Sequence, residues 1–162
     1  MPADAAAYRA LRLAGLAAHP EAFTSSFDED ARKPLGTTEA RLAPDGDAAI
    51  FGAFVDGALV GAVGLVRDPR RKRRHAAEIV AMYVASGHAR RGIGRALLAH
   101  AIAVARAGGV EQLALTVTQG NDAARGLYAA AGFATFGVEP RAIRVDDRYH
   151  SKEHMQLVLG RD

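Results

Sequence analysis

The stretch SGHARRGIGRALLAHAI, residues 86–102, sets two glycines, Gly92 and Gly94, among three arginines and then runs into an apolar repeat. Ile93, Leu97, Leu98, Ile102 and Ala105 fall on one stripe of a helix, so the glycines stand where that helix begins. A helix start offers unpaired backbone N–H groups and the positive end of the aligned peptide dipoles. Glycines let that backbone approach a ligand closely, and Arg90, Arg91 and Arg95 add positive charge. The segment reads as a seat for an anion. It is neither of the two common nucleotide loops. Leu97 occupies the third glycine position of the dinucleotide fingerprint, and no Gly-Lys-Ser/Thr follows as in a P-loop.

Working outward, AEIVAMYVA (residues 77–85) is a strand leading into the loop, and Gly108-Gly109 closes the helix behind it. EQLALTV (111–117) reads as a buried strand, and NDAARGLYAAAGF (121–133) as a short helix capped by Asn121 and closed by Gly132. Upstream, residues 48–66 hold two β-type runs joined by Asp56-Gly57, a hairpin signal. The tail returns to β structure: RAIRV, a turn at Asp146-Asp147, then YHSKEHMQLVL with Met155, Leu157 and Leu159 alternating inward. The chain opens on a helix over about 5–18, with Leu11, Leu13, Leu16 and Ala17 at helical spacing, followed by an acidic, partly helical stretch. This order predicts an α/β (α+β) fold in one domain, residues 1–162. Its central sheet is mixed and mostly antiparallel, parallel only near its middle, with helices on both faces.

Composition narrows the function classes. A chain of 162 residues with 49% hydrophobic and 24% charged content is of the ordinary globular type. Without cysteine there is no disulfide framework, thiolate nucleophile or cysteine metal site, and no His/carboxylate set has metal-ligand spacing, so no metal is expected. No apolar run reaches the roughly 18–20 residues of a membrane span, and the start lacks the pattern of a signal peptide. A cytoplasmic location and no membrane partner are the expectation. The net charge is +3, and much of the basic excess lies in RDPRRKRRH, residues 67–75, with Arg70 to Arg74 at its centre. No aromatic residues interleave these cations as base stacking requires, so the segment reads as a solvated loop and no nucleic-acid partner is expected.

Strand, ARRGIGRALL, strand and NDAARGLYAAAGF together resemble the GCN5-related N-acetyltransferase (GNAT) family. Its signature has Gln or Arg, two variable residues and Gly-x-Gly or Gly-x-Ala, then an Asn-x-x-Ala-x-x-Leu-Tyr-x-x-x-Gly-Phe helix. The second part is matched at Asn121, Ala124, Leu127, Tyr128, Gly132 and Phe133; in the first, Ala89 stands where the family has Gln or Arg. The resemblance implies acetyl-CoA as cosubstrate. Its pyrophosphate would lie on the amides of Arg91, Gly92, Ile93, Gly94 and Arg95, with Arg90 nearby. The pantetheine arm and thioester carbonyl would take free amides at Met82, Tyr83 and Val84, where this strand splays from the one near Leu115. Asn121, a helix cap, and Ala124 would adjoin the coenzyme.

Acetyl transfer to an amine requires removal of an ammonium proton, a stabilised oxyanion and protonation of the leaving thiolate. Glu78 is the expected base, placed by strict alternation on one face with Val80, Met82 and Val84; family members that modify histones carry a catalytic glutamate in a matching AEI stretch. Tyr128, which the resemblance sets near the coenzyme sulfur, is the expected acid. His150 and His154 are alternative bases. The expected activity is N-acetyl transfer to a primary amine of a small molecule or peptide. Two alternatives stand beside it, a non-catalytic coenzyme A-binding sensor and a nucleic-acid binder built on the basic loop; a homodimer is also possible. The acceptor pocket is expected from residues 19–39 and 137–152, with Glu21, Asp28, Glu29, Asp30, Asp146, Asp147 and Glu153 as candidates to attract a cation at its mouth.

Overall fold

The computed structural model describes residues 1–43 and 46–160. Six strands form one sheet in the order β1-β2-β3-β4-β6-β5. They span Ala48–Val55 (β1), Ala58–Arg67 (β2), Ala76–Val84 (β3), Gln112–Thr118 (β4), Ala134–Val145 (β5) and Arg148–Val158 (β6). Helices α1 (Ala5–Ala18), α2 (Phe27–Arg32) and α3 (Leu35–Leu42) precede the sheet; α4 (Ile93–Ala107) and α5 (Asp122–Ala130) flank β4. All strand pairs are antiparallel except β3 with β4. A parallel pair needs a crossover, and α4 supplies it.

The main core lies on one face. Leu97, Leu98, Ala101 and Ala105 of α4 cover Val63, Leu65, Ala77, Ile79, Leu113 and Leu115, while Tyr128 and Phe133 close it from the α5 end. On the other face Tyr8 and Leu11 of α1 pack on Ala62, with Leu42, Ile50 and Tyr83 around them. Of the stripe expected on α1, Leu11 and Leu16 are buried but Ala17 is exposed. Among the described residues no helix is long and apolar enough to cross a membrane.

Two features position the site. Pairing of β3 with β4 covers only Ala76↔Gln112, Ala77↔Leu113 and Glu78↔Ala114. Beyond that rung the strands part, leaving one edge of residues 79–84 without a strand partner. The second feature is a β-bulge. Ala62 pairs with Tyr83 but Gly64 with Val80, so Val63 faces two residues, Ala81 and Met82, and Ala81 takes a left-handed φ of 53°. The extra residue reverses the alternation. Ala77 and Ile79, then Met82 and Val84, face α4; Tyr83 turns to α1. Glu78 therefore shares its face with Val80 and Tyr83, not with Met82 and Val84 as strict alternation predicts. Gly15 seats the Tyr83 ring, since a Cβ there would lie 3.0 Å from the ring's Cγ.

Candidate active site

The anion seat forms as its residues require. Gly92 caps α4 with φ 79°, a conformation that disfavours L side chains, and Arg90 before it also has a left-handed φ of 60°. No acidic residue lies in the first turn of α4, so its positive end is not neutralised from within the helix. A Cβ on Gly94 would meet Met82 Cε and Leu127 Cδ2 at 3.4 Å, which is ordinary contact. Gly92 is thus demanded by the backbone, whereas a methyl at Gly94 meets no obstacle from the protein itself. Arg91 Nη1 lies 3.1 Å from His88 Nδ1. Arg95 runs into a groove between α4 and α5 beside Leu127 and Ala131.

Where β3 and β4 separate, a cleft of about 260 Å³ opens. Val80, Ala81 and Met82 form one wall and Thr116 of β4 the other; Tyr128 closes it from the α5 side. Phe23, Thr24 and Ser25 cover it from the α1 side. That cover is tied down: the Thr118 hydroxyl donates to the Glu21 carbonyl at 2.7 Å, and Lys152 Nζ lies 3.4 Å from Thr24 Oγ1. Arg12 lines the same space, its Nε 2.6 Å from Asp30 Oδ2 and its guanidinium carbon 5.5 Å from the Phe23 ring centre.

The structure brings the loop, Met82 and Tyr128 to one wedge. Tyr128 is buried, edge-on to Phe133, and burial pushes its hydroxyl pKa up to about 12. Asn121 caps α5, its Oδ1 accepting from the Ala124 amide at 3.1 Å; Ala124 packs against the core. Glu78 is exposed at the last rung before the strands part, on the same face as Thr116 two residues beyond its partner Ala114. Tyr83 offers the wedge only its backbone, because its ring packs under α1.

The acidic mouth expected from sequence does not form. Among the described residues no carboxylate lines the cleft. Asp30 is held by Arg12 and by Lys33 Nζ at 2.5 Å, and Glu29 closes a capping box with Ser26. Glu153 takes Arg125 and Thr135, and Asp147 pairs with Arg144. His154 is engaged by Glu139 at 3.0 Å and His150 pairs with Ile143, and neither lines the cleft. The basic loop is largely self-satisfied. Asp68 accepts from Arg70 and Arg73, Arg74 pairs with Asp47, and Arg67 binds the carbonyls of Arg74 and Gly108. Among the described residues no group of His, Cys, Asp or Glu is placed to hold a metal ion.

Lys152 is the residue that sequence reasoning passed over. It is buried, and burial lowers its pKa while Glu139 works against that shift. Its parity was the available signal: residue 152 lies opposite Thr118, on the face away from buried Met155.

A helix start stripped of acid, a free strand edge and a wedge between parting strands together suit an extended, anionic thioester coenzyme. Among solved structures, a GNAT-family acetyltransferase from Streptococcus pneumoniae matches with a TM-score of 0.85 and 24% identity, over 99% of this chain and 96% of that one. YncA, a putative acetyltransferase from Salmonella typhimurium solved with its cofactor acetyl-CoA, matches with a TM-score of 0.81 and 24% identity, over 100% and 92%. A ribosomal-protein-alanine N-acetyltransferase from Brucella melitensis gives 0.79 and 24%, over 98% and 96%. No curated protein matches the sequence significantly. The model of the acetyltransferase (GNAT) family matches residues 12–133, from α1 through both signature segments, and the chain belongs to that family.

Proposed function

We propose that the protein is an N-acetyltransferase that moves the acetyl group of acetyl-CoA to a primary amine of a small molecule or peptide. The observation that carries this reading is the parting of β3 from β4 directly in front of the α4 N-terminus. Acetyl-CoA supplies the activated acyl group. The amides of Gly92 to Arg95, with Arg90 and Arg91, hold its pyrophosphate. The unpaired edge of Met82 to Val84 orients the arm and donates to the thioester oxygen as negative charge grows there.

Glu78 accepts the ammonium proton from the acceptor side, directly or through water. Its support is position: an exposed carboxylate on the acceptor face, one rung before the strands part, which lines the hollow beside the basic loop and reaches the cleft past Val80 or through water. Tyr128 donates a hydrogen bond to the departing sulfur. With its pKa near 12, against roughly 8.5 for an ordinary thiol, it stabilises the thiolate by hydrogen bonding, and full proton transfer from it runs uphill.

The test is acetyl-CoA consumption across a diverse amine panel, with Glu78→Gln beside wild type. Turnover falls by roughly 10²–10⁴-fold in the variant if Glu78 is the sole base. Unchanged activity across pH would move the base elsewhere. Tight coenzyme binding with no amine consumed would favour a coenzyme-binding module over an enzyme.

A further inference from the structure

The cleft contains an ammonium group with no carboxylate in contact with it, Glu139 acting on it only from a distance. Lys152 is 7% exposed, and among the described residues its Nζ has one polar neighbour at hydrogen-bond range, the Thr24 hydroxyl at 3.4 Å. Among the described residues no carboxylate stands within ion-pair distance of it. Glu139, its partner across the β5–β6 ladder, is bonded instead to His154. The other cations lining the cleft are Arg12, whose Nε is taken by Asp30, and Arg41. A buried, unpaired charge is unfavourable for the fold. A lysine kept at such a position is explained when a ligand brings the missing charge. The space is small as well: about 260 Å³, below the ~300–1,000 Å³ common for small-molecule sites.

We propose that Lys152 pairs with a carboxylate on the acceptor, so that the substrate is a small amino acid presenting its amine to the thioester and its carboxylate to the β6 side of the cleft. This deepens the proposed function and rests on it for the amine's role, while the anion site can be read by binding alone. Thr24 and Ser25 cover the occupant, and Thr116 lies opposite them. A primary ammonium on a strand, with one hydroxyl beside it, suits a single carboxylate held as a point charge.

The experiment compares L-α-amino acids with their matched carboxamides as probes, for wild type and Lys152→Met. It records acetyl-CoA consumption and, separately, the rise in melting temperature on adding each probe with coenzyme A. Lys152→Met removes a buried unpaired charge, so the variant is expected to melt no lower than wild type. In wild type, kcat/KM for at least one amino acid should exceed that for its carboxamide by tenfold or more. In Lys152→Met that ratio should collapse through KM. Equal rates for acids and amides, or a ratio untouched by the substitution, would overturn the assignment. So would equal loss on both probe classes through kcat, which would make Lys152 a stabiliser of reaction charge. If no amine is acetylated, yet amino acids raise the melting temperature of wild type and not of the variant, the carboxylate site stands and the acetyl-transfer reading falls. If neither readout responds, both fall.

Discussion

Asp30→Asn tests how the wall of the cleft is held. Asp30 is buried, and its two oxygens are divided between Arg12 Nε at 2.6 Å and Lys33 Nζ at 2.5 Å. Lys33 is half exposed, so its share is screened and small. Arg12 is nearly buried, and losing its partner leaves a charge uncompensated, which sets the cost at about 3 kcal/mol. For a chain of this size each kcal/mol moves the melting temperature by roughly 2–4 °C, so a fall of roughly 6–12 °C is expected. The pH dependence provides a second test. Burial works to raise the Asp30 pKa, but hydrogen bonds from Lys33 and Arg12 outweigh it and hold the carboxyl below its usual range. A depressed folded pKa contributes stability that is present above the unfolded value and lost as pH falls through the folded one. The gap between wild type and Asp30→Asn should hold constant near neutrality and shrink below about pH 4. Thermal denaturation followed by circular dichroism reads both. A drop under about 2 °C, below what even 1 kcal/mol would give, would refute the reasoning. So would a gap that persists unchanged in acid.

Gly92→Ala should cost about 1–2 kcal/mol in stability because of its left-handed φ, whereas Gly94→Ala should melt like wild type, its methyl meeting only ordinary contacts. Both should weaken acetyl-CoA binding in calorimetry, and undiminished affinity in both would remove the loop from the coenzyme site. Tyr128→Phe should lower kcat while leaving the acetyl-CoA Kd nearly unchanged. Because burial holds the Tyr128 hydroxyl near 12, the wild-type rate should show no tyrosine limb below about pH 10; such a limb that vanishes in Tyr128→Phe would show the hydroxyl to be far less buried in solution.

What was legible in the sequence was whatever local chemistry determines. The Asp56-Gly57 and Asp146-Asp147 turns, the α4 stripe and the Asn121 cap all appear where their residues put them. What was not legible depends on partners. α3 has few apolar residues and no side-chain cap, so nothing in LGTTEARL marks a helix before α1 packs beside it. β5 runs through Pro140, which is tolerated because this edge strand breaks register with β6 between Glu139 and Ile143. Glu29 and Asp30 looked like a binding mouth because Ser26, Lys33 and the distant Arg12 become their partners only once α2 folds against α1. Lys152 is illegible for another reason: alternation with Met155, Leu157 and Leu159 sets it on the other face of β6, and only the fold shows that part of that face lines the cleft.

The bulge at Ala81 joins the two halves of the site. Were β3 regular, Glu78 and Met82 would point the same way, and the proposed base and the proposed coenzyme cradle would compete for one face. The inserted residue puts Met82 and Val84 toward α4 and leaves Glu78 and Val80 toward α1, within one strand. It does so just past the rung where β4 departs, so the strand changes face at the place where its edge is unpaired. The proposed coenzyme then comes from the α4–α5 side and the acceptor from the side of Phe23 and Lys152, and they meet through the sheet. A non-glycine residue in the left-handed region costs roughly 1–2 kcal/mol, and the packing on both faces of β3 sustains it. On the proposed reading, the sheet is the partition between coenzyme and acceptor, and the wedge beyond Glu78 is the opening in it.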